Sequence, residues 1–364
     1  MRKNRKLYRA AAALMTAAML STMGGMTALA DNSNRVTSVP LTKTIEVASN
    51  SDAIMTPNVS FNFKVEPVKT ENKNGIVETF SGDAEGETIV VYGGTAGGAK
   101  FADGNDTISF TNNDNKTKNT SITLDSTVFG KPGVYRYEIT EAKPTEDEKY
   151  DGMDYSDEKF FLDLYVENGD TADLYVITAV KVWKAGDGKK EKTGTIAFTN
   201  KYTTNKLSLT KVITGNQADK KSKFEFTIEV DGVAGEQYKT NYEYLYNGEE
   251  KTLTLVSGTE ATIELGQNEK IEIYGLSSND SYTISENQKY KDDGYTTTIT
   301  GDGEKNDLTV SGSIGTADKA VIYTNTKSVI TPTGIMLSYG PYILLVLAAG
   351  ACAVVFFRRR REDY

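Results

Sequence analysis

Lysine, glutamate and asparagine occur twice in the same order along this chain, and together they could carry out one reaction. The two sets are Lys43, Glu141 and Asn200, followed by Lys211, Glu286 and Asn325. A lysine amine can attack an asparagine carboxamide to give a new amide bond and ammonia, while a nearby carboxyl group transfers the protons. The repeated set therefore predicts two self-formed cross-links between side chains, one in each half of the chain.

Side-chain phase is the first reason to group these residues. Alternate side chains of a β-strand share one face. All six residues fall in the apolar phase of a strand pattern, as their neighbours at even spacing show: Leu41 and Ile45 beside Lys43, Tyr137 and Ile139 before Glu141, Ile196 and Phe198 before Asn200, Leu209 and Ile213 beside Lys211, Tyr282 and Ile284 before Glu286, and Val321 and Tyr323 before Asn325. The pattern predicts that all six side chains point into a core.

A charged amine or carboxylate in such a core is costly unless it is paired, neutralised or consumed by a reaction. Burial lowers the pKa of a lysine and raises that of a glutamic acid, so both groups can be neutral there. Fixed contact supplies an effective concentration of roughly 10⁵ to 10⁸ M to an otherwise slow attack. Alternatively, a single in-phase lysine is an edge residue that reaches solvent. The three residues also have matching neighbours in the two sets: the lysine ends LTK both times, the glutamate ends ITE or ISE, and the asparagine ends FTN or YTN. This repetition favours the reactive set.

The chain between residues 34 and 327 has the pattern of consecutive strands. Apolar and polar residues alternate in segments 59–65, 160–166 and 224–230, and clusters of Gly, Asn and Asp mark turns. This predicts an all-β fold of two tandem immunoglobulin-like β-sandwiches. The repeated set places the first at residues 34–202 and the second at 203–327, and the short connection at 202–206 predicts a stiff rod.

Both ends of the chain carry targeting patterns. Residues 1–30 have a basic start, an apolar run and a small-residue exit at Ala28-Leu29-Ala30, which is typical of a secretory signal peptide. A membrane anchor is the alternative, but residues 21–27 interrupt the apolar run. At the other end, residues 335–357 form an apolar stretch long enough to span a bilayer, and the basic tail at 358–364 predicts a cytoplasmic end.

The segment in front of that apolar stretch consists of Ile330, Thr331, Pro332, Thr333 and Gly334. A plain C-terminal anchor helix is one interpretation of this end. The Pro-Thr-Gly sequence just outside the membrane, however, resembles the cell-wall sorting signal of Gram-positive surface proteins, which a sortase cleaves between threonine and glycine. The resemblance implies cleavage between Thr333 and Gly334. The first two positions differ from the usual Leu-Pro opening, which implies a specialised, pilus-class sortase.

Composition narrows the function classes. The chain has no histidine, which excludes Ser-His-Asp and Cys-His catalysis and histidine metal sites. Its one cysteine, Cys352, lies in the apolar tail, so the exported part can form no disulfide. The net charge of −9 becomes more negative once the basic ends are removed, which disfavours nucleic acid as a partner. Segments 93–100 and 103–106 lack the spacing of phosphate and calcium loops, so no cofactor, metal or ordinary enzyme activity is predicted.

With these motifs, the chain resembles the major (backbone) pilins of Gram-positive pili, in particular the streptococcal two-domain type with one intramolecular isopeptide bond per domain. The resemblance covers essentially the whole chain: LTK at 41–43 and 209–211, the E-box-like segment 129–141, YTISE at 282–286, FTN at 198–200, YTN at 323–325 and the sorting signal. It implies CnaB-like sandwiches and a covalent head-to-tail polymer of identical subunits. A sortase would join Thr333 of one subunit to a lysine of the next, with minor pilins and peptidoglycan as further partners.

The resemblance implies the acceptor lysine by position, a few residues before the bond-forming asparagine of the first domain. Lys192 comes closest, Lys190 and Lys189 are alternatives, and an ordinary solvated hairpin loop is the other interpretation of this cluster. The predicted function is the structural shaft subunit of a pilus in the cell wall. The alternative is a wall-anchored monomeric adhesin or minor pilin that binds a host or bacterial ligand.

Overall fold

The computed structural model of the chain describes residues 35–47, 52–70, 73–81, 88–169, 175–186, 190–243, 250–329 and 339–352. The predicted signal peptide (1–30), sorting motif (330–334) and basic tail (358–364), together with Lys189, lie outside the described residues. Of the predicted membrane segment 335–357, residues 339–352 are described and are helical. Within the described ranges, no helix combines the length and apolar character that a membrane span requires.

The first half of the chain is a β-sandwich. Its strands are β1 (Ser38–Val47), β2 (Val59–Pro67), β3 (Ile76–Ser81), β4 (Thr88–Gly93), β5 (Ala99–Phe101), β6 (Thr107–Phe110), β7 (Thr117–Leu124), β8 (Gly133–Glu141), β9 (Met153–Asp154), β10 (Lys159–Asn168), β11 (Tyr175–Ala185), β12 (Lys190–Thr193) and β13 (Ile196–Tyr202), with single 3-10 turns at Ser126–Val128 and Glu146–Glu148. One sheet has the order β5-β7-β1-β13-β9. The other has the order β12-β11-β10-β8-β2-β6, and the β3–β4 hairpin joins it through β8.

The second half repeats the architecture. Its strands are β14 (Asn205–Thr214), β15 (Phe224–Asp231), β16 (Gln237–Glu243), β17 (Glu250–Val256), β18 (Ala261–Leu265), β19 (Lys270–Leu276), β20 (Ser281–Glu286), β21 (Thr296–Gly301), β22 (Glu304–Asn306), β23 (Thr309–Ser313) and β24 (Lys319–Thr326), with a short helix α1 (Lys289–Asp292). The sheet orders are β17-β16-β19-β14-β24-β21 and β18-β15-β20-β23-β22. The predicted all-β fold of tandem sandwiches is confirmed.

Each sandwich has its own apolar core, which the alternation of the strands builds. In β1 every second residue from Val39 to Ile45 is buried, and in β15 every second residue from Phe224 to Val230. The two clusters of buried side chains belong to residues 36–202 and 207–323, respectively. Polar residues at the intervening positions are left on the outer faces, as expected for a sheet that is covered on one side.

The first and last strands of each sandwich are parallel neighbours in the middle of a sheet. β1 pairs with β13 so that Ile45 lies opposite Asn200, and β14 pairs with β24 so that Ile213 lies opposite Asn325. In both sandwiches the lysine stands two positions before that isoleucine, on the same inward face. The same register therefore places a lysine beside an asparagine twice.

The two sandwiches meet at a buried polar joint. The Glu236 carboxyl of the second sandwich accepts a hydrogen bond from the Tyr150 hydroxyl of the first, and the hydroxyls of Tyr202 and Tyr238 lie 3.5 and 3.4 Å from its oxygens. Asp151 accepts hydrogen bonds across the joint from the hydroxyl and main-chain groups of residues 278 and 279. Burial raises the pKa of Glu236 to about 7.

This joint is expected to be tighter at low pH. Because the pKa of Glu236 is higher in the closed joint than in water, the stabilisation is full below about 4.5 and is lost as the pH rises through about 7. Buried Asp280, whose pKa burial raises to about 6, acts in the same direction. Hydrogen exchange of segment 150–152, corrected for intrinsic rates, should therefore be slower near pH 5 than near pH 8.

Glu236→Gln should remove most of that pH dependence, because the amide oxygen still accepts from Tyr150 but cannot ionise. Glu260→Gln, at an exposed position, is the matched control and should behave as the unaltered chain. An unchanged pH dependence in Glu236→Gln would show that another group controls the joint.

Candidate functional site

The first predicted set comes together between the two sheets of the first sandwich. Lys43 and Asn200 project from β1 and β13, and Glu141 reaches them from β8 of the facing sheet. Lys43 Nζ lies 2.6 Å from Glu141 Oε2, and Asn200 Nδ2 donates to Glu141 Oε1 at 2.6 Å. One carboxyl group thus contacts both the amine and the carboxamide nitrogen.

The second set has the same layout in the second sandwich. Lys211 and Asn325 project from β14 and β24, and Glu286 comes from β20 of the facing sheet. Lys211 Nζ donates to Asn325 Oδ1 at 2.5 Å and lies 3.3 Å from Glu286 Oε1, while Asn325 Nδ2 donates to Glu286 Oε2 at 3.0 Å. All six side chains of the two sets are buried.

An aromatic ring covers each lysine amine. Lys43 Nζ lies 4.2 Å from the ring centroid of Phe61 on β2, and Lys211 Nζ lies 4.0 Å from that of Phe224 on β15. These rings exclude water from the amines. Burial lowers the pKa of both Lys43 and Lys211 to about 8, against the opposite effect of the paired glutamate. A larger fraction of each amine is therefore neutral, and hence nucleophilic, than for an exposed lysine.

The polar contacts of the two sites differ in ways that the sequence did not reveal. Asn200 Oδ1 accepts a hydrogen bond of 2.8 Å from the main-chain N–H of Ser156, in the segment between β9 and β10. In the second site the Thr297 hydroxyl donates to Glu286 Oε2 at 2.7 Å. A main-chain donor leaves no signal in residue type. Thr297 lies in an ordinary strand pattern and could have been found only through its pairing with Asn325.

Two of the three lysines predicted as polymerisation acceptors, Lys192 and Lys190, belong to the edge strand β12. Lys192 is exposed on β12, opposite Trp183 of β11, and Lys190 begins the same strand. β12 is the last strand of its sheet, so the Lys192 amine is accessible to another protein. Lys189 and the residues of the sorting motif are outside the described ranges.

Comparisons with known proteins agree with this two-part organisation. Residues 39–203 match the family described as the Spy0128-like isopeptide containing domain, and residues 205–327 match a domain of unknown function, DUF7601. The chain is 25% identical over 365 residues to a pilin of Streptococcus pyogenes serotype M1, across 95% of this chain and 98% of that protein. The pilus tip adhesin Cpa of Streptococcus pyogenes is 31% identical over 132 residues, which are 36% of this chain and 18% of the adhesin.

Solved structures share the fold. The crystal structure of the major pilin from Streptococcus pyogenes superimposes with a TM-score of 0.55 at 22% sequence identity and covers 80% of this chain and 99% of that one. The major pilin T-13 from the same species gives a TM-score of 0.51 at 23% identity over 80% of this chain and 98% of that one. At these identities the similarity establishes a common arrangement of strands.

Proposed function

We propose that this chain, a relative of the Gram-positive major pilins, is the structural shaft subunit of a sortase-assembled pilus and is stabilised by two self-formed Lys–Asn isopeptide bonds. The observation that carries the proposal is the buried set of lysine, glutamate and asparagine, present in both sandwiches in the same register. In this proposal the chain has one domain at residues 34–202 and a second at 203–327. The chain is a structural protein, and the only chemistry that its residues perform is one reaction per domain.

The reaction in the first domain uses three side chains. The neutral amine of Lys43 attacks the carboxamide carbon of Asn200, and Glu141 takes a proton from the amine and passes one to the departing nitrogen. A bond forms between Lys43 Nζ and that carbon, the bond from the carbon to Nδ2 breaks, and ammonia leaves. Nothing is oxidised or reduced. Lys211, Glu286 and Asn325 perform the same steps in the second domain.

The second cross-link lies where tension would load its domain. In a polymer joined from Thr333 of one subunit to Lys192 of the next, force would enter a subunit at β12, pass along β13 and reach β14, since only residues 203 and 204 separate β13 from β14. It would leave the second domain through β24, so that without a covalent bond the hydrogen bonds between the parallel strands β14 and β24 would carry the load. A Lys211–Asn325 bond transfers that load to a covalent linkage, and a Lys43–Asn200 bond ties β1 to β13, the strand through which force leaves the first domain. This suits a protein that resists pulling.

Polymerisation requires a carboxyl donor and an amine acceptor. We propose that a sortase cleaves between Thr333 and Gly334 and joins Thr333 to Lys192 of the next subunit, so that identical subunits form a head-to-tail fibre. The exposed edge position of Lys192 supports this choice over a buried lysine. Such a fibre stands on the Gram-positive cell surface, attached to peptidoglycan and accompanied by minor pilins such as a tip adhesin.

A monomeric adhesin or minor pilin is the weaker alternative. The similarity to the pilus tip adhesin Cpa extends over 36% of this chain, whereas the similarity to the pilin extends over 95%. Similarity along nearly the whole chain thus favours a shaft subunit over a tip adhesin.

Lys192→Arg is expected to abolish the detergent-resistant ladder of covalent multimers in cell-wall extracts. Arginine retains the positive charge, but its guanidinium does not replace the amine as a sortase nucleophile. Lys201→Arg, at another exposed lysine, on β13, is the matched control and should keep the ladder. A ladder that survives in Lys192→Arg and disappears in Lys190→Arg or Lys189→Arg would reassign the acceptor, and survival in the triple variant would refute this cluster.

An unreacted Lys43 should give a distinctive pH dependence of stability. In Asn200→Ala the amine remains buried, with a pKa of about 8 in the folded state against an ordinary value of 10.5. The stabilising contribution is therefore full above about 10.5, falls as the pH decreases, and is gone below about 8. Thermal unfolding of Asn200→Ala should show this loss relative to the double variant Lys43→Met/Asn200→Ala, which lacks the amine. Parallel curves for the two variants would mean that Lys43 is not a buried titrating group.

A further inference from the structure

The carboxamide of Asn200 is held at both ends before any reaction. Its nitrogen donates to Glu141, and its oxygen accepts from the main-chain N–H of Ser156 at 2.8 Å. Asn200 is fully buried, so water does not compete for either contact. The reacting carbon therefore lies between a group that can protonate the leaving nitrogen and a donor fixed on the carbonyl oxygen.

Strand pairing places the main-chain N–H of Ser156 close to β13. Strand β9 pairs antiparallel with β13, with Asp154 opposite Lys201, so the residues that follow Asp154 run alongside Asn200. The ring of Tyr155 packs edge-on against Phe61, 5.9 Å between centroids, and its hydroxyl accepts from the Tyr150 N–H. The Ser156 hydroxyl accepts from the Glu158 N–H at 3.2 Å. Contacts on both sides thus fix the direction of this N–H.

We propose that the main-chain N–H of Ser156 is the oxyanion donor of the first cross-linking reaction. The proposal rests on the self-formed Lys43–Asn200 bond proposed above. When Lys43 adds to the carboxamide carbon, the negative charge that develops falls on Asn200 Oδ1, the atom to which this N–H donates. A preorganised donor at that distance stabilises the transition state more than the neutral amide, because its hydrogen bond strengthens as charge builds up.

The second site uses a different arrangement. Among the residues that the structure describes, no main-chain N–H donates to Asn325 Oδ1, which instead accepts from Lys211 Nζ. The extra donor there, the Thr297 hydroxyl, is on Glu286 rather than on the amide oxygen. The first reaction should consequently be the faster of the two when each is measured alone, in Asn325→Ala and in Asn200→Ala.

A buried amide oxygen also needs a hydrogen bond simply to be stable, so the test must separate structure from reactivity. The full chain carrying Asn325→Ala is made by cell-free translation, and the loss of ammonia is followed by intact mass over time. Ser156→Ala keeps the N–H and should react at the rate of the parent. Ser156→Pro lacks the N–H and should react about 10²- to 10³-fold more slowly, which is the usual cost of one lost oxyanion donor.

The pH profile of the rate provides the readout that a structural role would not give. Loss of the donor should lower the rate at every pH and leave the midpoint of the profile in place, because Lys43 and Glu141 are untouched. A Ser156→Pro rate equal to that of Ser156→Ala overturns the proposal, and so does a shifted midpoint, which would mean that the change acts through the Lys43–Glu141 pair.

Two further arms keep the result interpretable. If Ser156→Pro fails to fold, an ester in place of the 155–156 peptide bond replaces the N–H by an oxygen and keeps the side chain, and the same slowing is expected. A rate equal to that of the parent overturns the proposal. In the Asn200→Ala background, Ser156→Pro should leave the rate of the second reaction unchanged. Failure of the parent and of Ser156→Ala to lose ammonia would instead reject the proposed cross-link itself.

Discussion

Glu141→Ala is expected to leave Lys43 and Asn200 unjoined, so that the purified variant retains the mass of one ammonia that the parent chain has lost. Glu141 is the group that contacts both reactants, 2.6 Å from each. Removal of a positioned general acid and base costs about 10²- to 10⁴-fold in rate. Loss of the Glu141 carboxyl also leaves the Lys43 amine without the partner that holds it beside Asn200. Intact mass measurement, followed by peptide mapping, reads the result directly.

The matched control is Glu138→Ala. Glu138 lies on the same strand, β8, but faces the other way, where it pairs with Lys159. This variant should form the bond as the parent does. Glu286→Ala should likewise block the second bond and leave the first intact. A Glu141→Ala chain that loses ammonia as fast as Glu138→Ala would contradict the role of the carboxyl group.

Loss of the second cross-link, in Asn325→Ala, should lower the stability of that domain by about 5 kcal/mol, by analogy with a disulfide that closes a loop of this length. Lys211 and Asn325 are 114 residues apart, so the bond removes much of the conformational freedom of the unfolded chain. For a domain of this size, the melting temperature should fall by roughly 15 to 20 °C. The bond that Asn200→Ala removes would close a longer loop, from Lys43 to Asn200, so this variant should lose at least as much stability in the first domain.

Two comparisons separate the covalent bond from lost packing. Lys211→Ala removes the same bond from the other side and should give a similar fall in melting temperature. Asn205→Ala removes only a hydrogen bond from the Asn205 side chain to the Gly315 carbonyl and should have a small effect. Protease resistance should follow the same order. Similar melting of Asn325→Ala and Asn205→Ala would mean that no bond contributes to stability.

Local pattern was sufficient to predict the fold class and many strands. The alternating segments 59–65, 160–166 and 224–230 lie within β2, β10 and β15, because a strand buried on one face alternates in residue type along its own length. The inward direction of Lys43 and Asn200 followed from the same rule. Their mutual distance did not follow from it: the parallel pairing of β1 with β13 joins residues more than a hundred positions apart, and nothing local encodes that register.

The alternation of apolar and polar residues does not indicate burial correctly where a sheet is covered on both faces. Arg136 falls in the outward phase of β8, yet it is almost fully buried. The β3–β4 hairpin supplies Glu78 to its guanidinium, while Asp163 of β10 forms a bidentate pair with it at 2.6 Å and accepts from Trp183 Nε1 at 2.8 Å. A sequence pattern cannot show which loop folds over an outer face. The Ser156 N–H escaped prediction for a different reason, since every residue except proline supplies the same group.

One mass measurement tests the central claim, that two interior amines have been joined to carboxamides. Residues 31–333, produced as a recombinant protein and weighed intact, should lack the mass of two ammonia molecules relative to the translated sequence. Digestion should yield one branched peptide that contains Lys43 and Asn200 and another that contains Lys211 and Asn325. A protein that retains its full translated mass would contradict the account.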